Sequence, residues 1–166
     1  MSAQTAPAPR STGETLRRWH STVPFAVSGG VAIVVGGLVA ALTRPLGFAE
    51  GSWVAAYLVL VMGVAQIALG VGQSVLAVDV PTRAARWWQV VAFTAGSLAV
   101  IGGTLIGSPL VVVAGGAVLV AALALFLLAV RGSTGPSAWL WCHRLFVVFL
   151  AASVVVGSVL SFLRHG

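Results

Sequence analysis

The groups in this chain that could do chemistry are few: His20, His143 and His165, Cys142, and the acids Glu14, Glu50 and Asp79. A short list of amides and hydroxyls inside apolar stretches completes the set. His20 precedes the first long apolar run and His143 precedes the fifth, so both belong to one membrane interface in the topology derived below. Two imidazoles from different helices are what a b-type haem takes as axial ligands. His20 and His143 are therefore the candidate haem or metal ligands of a redox subunit that binds haem or a quinone at that face. Against this stands the commoner use of interfacial histidines beside Trp and Arg as head-group contacts. Nucleophilic catalysis has one imaginable set, Cys142 with His20. Cys142 and His143 are adjacent, and adjacent side chains on a helix do not face each other.

The acids exclude more than they offer. Glu50 and Asp79 flank the second apolar run on opposite faces, so they cannot share a magnesium ion through oxygen ligands. Metal-dependent prenyl transfer is thereby excluded. No apolar run contains Asp, Glu, Lys, Arg or His, which removes the intramembrane titratable group that proton-coupled transport, voltage sensing or acid-initiated cyclisation would need. Glu50 is expected to cap the second helix, where a negative charge suits the helix dipole. Asp79 is expected to pair with Arg83 or to cap the next turn.

A second polar set lies within the runs. Gly63, Gln66, Gly70, Gln73 and Ala77 recur at steps of three and four, which places them on one helical stripe. Amides facing lipid are costly, so this stripe faces the bundle interior or a partner. Gln66, Ser97 and Ser153 form the expected mid-depth hydrogen-bonding set, with Thr94 beside it. As glue between helices such bonds contribute roughly 0.6–2 kcal/mol each. Together with Gln73, the same residues could instead line a passive pore for small solutes.

These groups are carried by an exceptionally apolar chain. Of 166 residues 59% are hydrophobic and 7% charged, with a mean hydropathy of +1.07. Soluble domains carry about 25% charged residues, so a single soluble domain and extensive disorder are both excluded. The predicted class is all-α, a polytopic membrane protein built as a bundle of five transmembrane helices. The spans run over 23–42, 53–78, 87–106, 110–130 and 145–163, the last helix starting near Ala138. Each is close to the roughly 20 residues that cross a hydrocarbon core. Pro24 and Pro109 are read as first-turn prolines, and Gly107-Ser108-Pro109 is so short that spans three and four must form an antiparallel hairpin. Residues 1–22 are read as a partly amphipathic cytoplasmic tail, mobile to about residue 15.

Arginines set the orientation. With the N-terminus cytoplasmic, Arg10, Arg17, Arg18, Arg83, Arg86, Arg131 and Arg144 lie inside and only Arg44 and Arg164 outside. Trp19, Trp87, Trp88, Trp139 and Trp141 then anchor the inner interface and Trp53 the outer one. A cage of Trp87, Trp88 and Trp141 around a cation is the alternative use of those rings. The net charge of +6 is spread between spans, which suits anionic lipid and argues against nucleic acid. Arginine in place of every lysine, with abundant Ala, Gly and Val, fits the bacterial cytoplasmic membrane as location.

Small residues offer packing faces: Gly29, Gly37 and Ala41 with Ala32, Gly36 and Ala40 beside them on span one, and Ala95, Ala99 and Gly103 on span three. Val34-Val35-Gly36-Gly37 and Val100-Ile101-Gly102-Gly103 hint at a duplication of spans one and two in three and four. Span four, lacking polar groups, is expected to be the most lipid-exposed. The expected function is that of a non-catalytic membrane protein, a homo-oligomer or an accessory subunit of a larger complex.

Overall fold

The computed structural model describes residues 12–79, 81–133 and 137–165. The protein is 87% helix, with no strand among the described residues. Five helices long and apolar enough to cross a membrane follow in order: α1 (Thr12–Thr43), α2 (Gly51–Leu76), α3 (Arg83–Leu105), α4 (Pro109–Ala129) and α5 (Ser137–His165). Residues 1–11, including Arg10, lie outside the described set.

Several helices begin earlier than hydropathy alone suggests. α1 starts at Thr12, so residues 12–22 are helix and not a tail. Glu14 sits in its first turn, where its charge complements the helix terminus. It also pairs at 3.1 Å with Arg18 one turn on. Pro24 is consequently an interior proline, without the N–H that would bond the His20 carbonyl. One turn before it, the Ser21 and Thr22 hydroxyls donate to the Arg18 and Trp19 carbonyls. Pro109 does fall in the first turn of α4. Glu50 occupies the N-cap position of α2 through its backbone alone, accepting from Val54 N–H at 3.0 Å without a side-chain cap. The cap of α3 is Thr82, whose Oγ1 accepts from Ala85 N–H at 3.2 Å. No ion pair joins Asp79 to Arg83 among the described residues.

Two antiparallel hairpins, α1–α2 and α3–α4, make the most extensive contacts, and α5 packs on α4 with a footing on the end of α2. α2 is the central helix, touching all four others. Both hairpins turn in the same way. Gly47 and Gly107 adopt φ of 61° and 65°, and the next residue donates back five positions, Phe48 N–H to Thr43 at 3.0 Å and Ser108 N–H to Gly103 at 2.8 Å. A left-handed glycine closing such a bond satisfies the last helical carbonyls.

Both hairpins also close on facing glycines. A Cβ on Gly29 would stand 2.8 Å from the Gly63 carbonyl oxygen, and one on Gly96 would stand 3.0 Å from that of Gly115. Seven residues on, Gly36 meets the Ala55 carbonyl and Gly103 meets Val112 in the same fashion. The packing faces are therefore Gly29, Ala32, Gly36 and Gly96, Ala99, Gly103. The expected four-step stripes are used only in part: Ala99 and Gly103 pack, whereas Gly37, Ala41 and Ala95 are exposed. A step of four drifts around a helix over two turns, whereas alternating three and four tracks the seam of helices crossing at about 20°.

One apolar cluster ties all five helices: Phe25 from α1, Leu69 from α2, Val90 and Phe93 from α3, Leu119, Ala122, Leu123 and Phe126 from α4, and Val147 from α5. Phe126 is its hub, with ring centroids 5.5 Å from Phe25 and 6.5 Å from Phe93, the latter edge-on. This overturns the expected exposure of span four. Of the apolar windows, 39% of that in α4 is buried against 22% in α1 and 17% in α5. A uniformly apolar helix fits a protein core as readily as lipid, so polarity could not separate the two.

Gly96→Ala should destabilise the fold by about 1–3 kcal/mol through overpacking. Gly102→Ala, where a Cβ meets nothing within 4 Å, should be neutral or stabilising by up to about 1 kcal/mol. Thermal unfolding in one detergent, followed by circular dichroism, compares the two.

Candidate functional site

The polar stripe of α2 is buried along its whole length: Gly63, Gln66, Gly70, Gln73 and Ala77 all face inward. It begins inside a π-helical segment, Leu58–Ala65, that interrupts the α-helix just before Gln66. Such segments bond i→i+5 and are frequent at functional sites. The two amides face different neighbours. Gln73 Nε2 donates to Gln89 Oε1 at 3.2 Å, and Gln89 Nε2 donates to the Leu125 carbonyl at 3.3 Å, a relay from α2 through α3 to α4. Gln89 has no place in the expected set. It stands on the buried face of α3 with Val90, Phe93 and Ser97, and that position was the signal available for it.

Gln66, fully buried, faces α1 and α3 instead. Ser28 Oγ donates to Gln66 Oε1 at 3.4 Å and lies 3.4 Å from Thr94 Oγ1. Gln66 Nε2, Ser97 Oγ and the Tyr57 hydroxyl are buried and complete no hydrogen bond. The last two interact with each other without reaching that geometry. An unmatched polar group in an apolar interior costs about 1–3 kcal/mol, so each of these three weighs on the fold. Ser153 does not join them. It is exposed on α5, and its hydroxyl donates to the Phe149 carbonyl of its own helix at 2.8 Å. The four polar residues expected to act together thus occupy three separate surroundings.

Ser28 and Thr94 floor a groove between α1 and α3. α1 and α3 touch only lightly, each being bound to its own hairpin partner. The resulting cleft has a volume of about 500 Å³, with Pro24 and Val27 on one wall and Trp87 and Val91 on the other.

Toward the end that carries most arginines, Arg18 does structural work that hydropathy hides. Its Nη1 donates at 3.0 Å to both the Ser74 and Ala77 carbonyls and its Nη2 at 3.2 Å to Val78. The last carbonyls of a helix lack intrahelical donors, and a guanidinium supplies several in fixed geometry. Ser133 Oγ donates to the neighbouring Leu76 carbonyl.

The histidines are not presented as a facing pair. His20 is exposed, and its Nδ1 lies 2.8 Å from the Leu16 carbonyl of its own helix. His143 is buried, its Nδ1 against Gly72 of α2 so closely that a Cβ there would stand 2.5 Å away. A haem between them needs both rings to open onto one slot, and His143 is filled in by backbone. His143 Nε2 is left without a partner. Cys142 is exposed while His143 is buried, as adjacent helical positions require. Among the described residues no group of three or more His, Cys, Asp or Glu could hold a metal. Trp19, Trp53, Trp87, Trp88, Trp139 and Trp141 are all exposed on the periphery. Trp53 and Tyr57 have ring centroids 5.5 Å apart, and among the described residues no ring contact joins Trp87, Trp88 and Trp141.

The chain matches no protein-family model, no curated protein and no solved structure.

Gln73→Leu and Gln89→Leu should each cost about 1–3 kcal/mol by stranding the other amide. The double variant should cost less than the sum of the two, since it removes both polar groups. Unfolding free energies of the four proteins of this cycle check the coupling, and strict additivity would disprove the relay.

Proposed function

We propose that the protein is a non-catalytic integral membrane protein of the bacterial cytoplasmic membrane that works as a self-assembled unit. Its N-terminus is cytoplasmic and its C-terminus is outside. The observation that carries the assembly is that α1 holds two sets of small residues and uses one. Gly29, Ala32 and Gly36 are spent on α2. At Gly30 and Gly37 a Cβ would meet nothing within 4 Å, and Ala41 is exposed. A glycine facing lipid weakens its helix by about 1 kcal/mol relative to alanine and returns no packing. Between helices it permits the close backbone approach on which association in lipid depends.

The same face carries its own complement. Gly37 and Ala40 line a groove of about 480 Å³ with Ala56 and Leu60 of α2. Beside it Val34 and Leu38 project from α1 at 64% and 59% exposure. Two copies related by a two-fold axis would each insert these side chains into the other's groove, an isologous contact. The orientation rests on Arg17, Arg83, Arg131 and Arg144, exposed at the end of the bundle that also carries five of the six tryptophans.

Gly37→Leu should leave the fold intact, since its site is open, and should convert the native dimer to a monomer in lipid nanodiscs by mass photometry. A monomeric native chain, or a dimer indifferent to the substitution, would sink the reading. Orientation is checked separately with a membrane-impermeant maleimide on intact cells. Native Cys142 should stay unlabelled, and Ser108→Cys in a Cys142→Ser background should be labelled.

A further inference from the structure

We infer that the groove between α1 and α3 is a lateral binding site for a lipid-soluble, uncharged ring carbonyl of the quinone class, entered from the bilayer. The cleft of about 500 Å³ is apolar on both walls and polar only at its floor, the general form of a small-molecule site. No histidine lines it, and its ligand chemistry follows from the floor. Ser28 has one hydroxyl proton, and it goes to Gln66 Oε1. The Thr94 hydroxyl, 3.4 Å from Ser28 Oγ, is then free either to donate to that oxygen or to turn outward. Behind both, the fully buried Gln66 keeps Nε2 without an acceptor. The floor therefore offers one uncommitted O–H, that of Thr94, to an acceptor such as a carbonyl oxygen.

Depth narrows the class. Thr94 lies seven residues along α3 from Trp87, about 10 Å at the rise of an α-helix. With Trp87 at the interface, the floor sits about 10 Å inside the apolar layer. Ester carbonyls of phospholipids stay at head-group level and cannot reach it. A fatty-acid carboxylate would carry a charge to a depth where charge is expensive. A neutral ring bearing a carbonyl and an apolar tail meets both conditions. Trp87, half exposed at the mouth of the groove, offers such a ring an aromatic face.

The test uses the full chain in phosphatidylethanolamine–phosphatidylglycerol nanodiscs, titrated with decylubiquinone while tryptophan fluorescence is read. Quenching should contain a saturable component that Trp87→Phe removes. Thr94→Val should raise its half-saturation about fivefold, as for one lost hydrogen bond, and Thr94→Ser should restore it. Val91→Trp, a substitution at a half-exposed wall position that cannot upset the core, should block the site, read as loss of its saturable protection against thermal unfolding. A lipid brominated on its acyl chains separates the rival occupant: decylubiquinone should displace its quenching of Trp87. Quenching that rises without saturation and equally in every variant would overturn the site. Bromolipid quenching that decylubiquinone leaves unchanged would overturn the ligand class, because the groove would then be an acyl-chain seat.

Discussion

Helices as apolar as these gain nothing in hydrocarbon by burying leucine against leucine, so what holds them is how closely their backbones approach. Two glycine contacts supply that approach, Gly29 on Gly63 and Gly96 on Gly115, and the rest of the bundle follows from them. Each fixes the spacing of a hairpin, and each is repeated seven residues on, at Gly36 and Gly103. That repeat sets a seam with a shallow crossing angle. The turns share a device as well, a left-handed glycine at Gly47 and Gly107. The two hairpins are thus built on one plan, in a register one residue away from the match of Gly36-Gly37 with Gly102-Gly103. The glycines that pack are Gly36 and Gly103, while Gly37 and Gly102 face open space.

With the hairpins so tightly closed, the space between them is left to side chains, polar groups among them. Near the arginine-rich end many are matched, although Gln73 Oε1, Arg86 Nε and His143 Nε2 have no partner. Arg18 collects the final carbonyls of α2, and Gln73, Gln89 and the Leu125 carbonyl form a relay across three helices. Farther along the bundle Gln66 Nε2, Ser97 Oγ and the Tyr57 hydroxyl also complete no hydrogen bond. Gln66 lies behind a cleft open to the surroundings, just after the π-helical stretch of α2. That position, behind Ser28 and Thr94, is what directs the ligand proposal to α1 and α3.

The two proposals use different faces of α1. The groove toward α3 is bounded by Pro24, Val27 and Ser28, and the assembly face by Gly30, Val34, Gly37 and Ala41. A dimer through the second leaves the first open to lipid, so ligand entry and assembly do not compete. α1 can serve both because it is the least enclosed helix after α5. An interior proline also sits at the wall of the groove, where the backbone hydrogen-bond ladder is already interrupted.

The sequence by itself determined the number of long apolar helices, the hairpin at Gly107, the inward stripe from Gly63 to Ala77 and the peripheral tryptophans. Each rests on a local property: run length, turn chemistry, helical period or the amphipathic character of a ring. Where helices start was decided by short-range pairs that hydropathy does not weigh, such as Glu14 with Arg18. Only the tertiary structure decided which of several small-residue stripes packs, that α4 lies in the core, that Ser153 turns outward, and that His143 is enclosed while His20 is not. Those outcomes depend on how each helix is rotated against its neighbours. In an apolar chain rich in Gly, Ala and Val many rotations satisfy the composition equally, and the choice falls to contacts between residues distant in sequence.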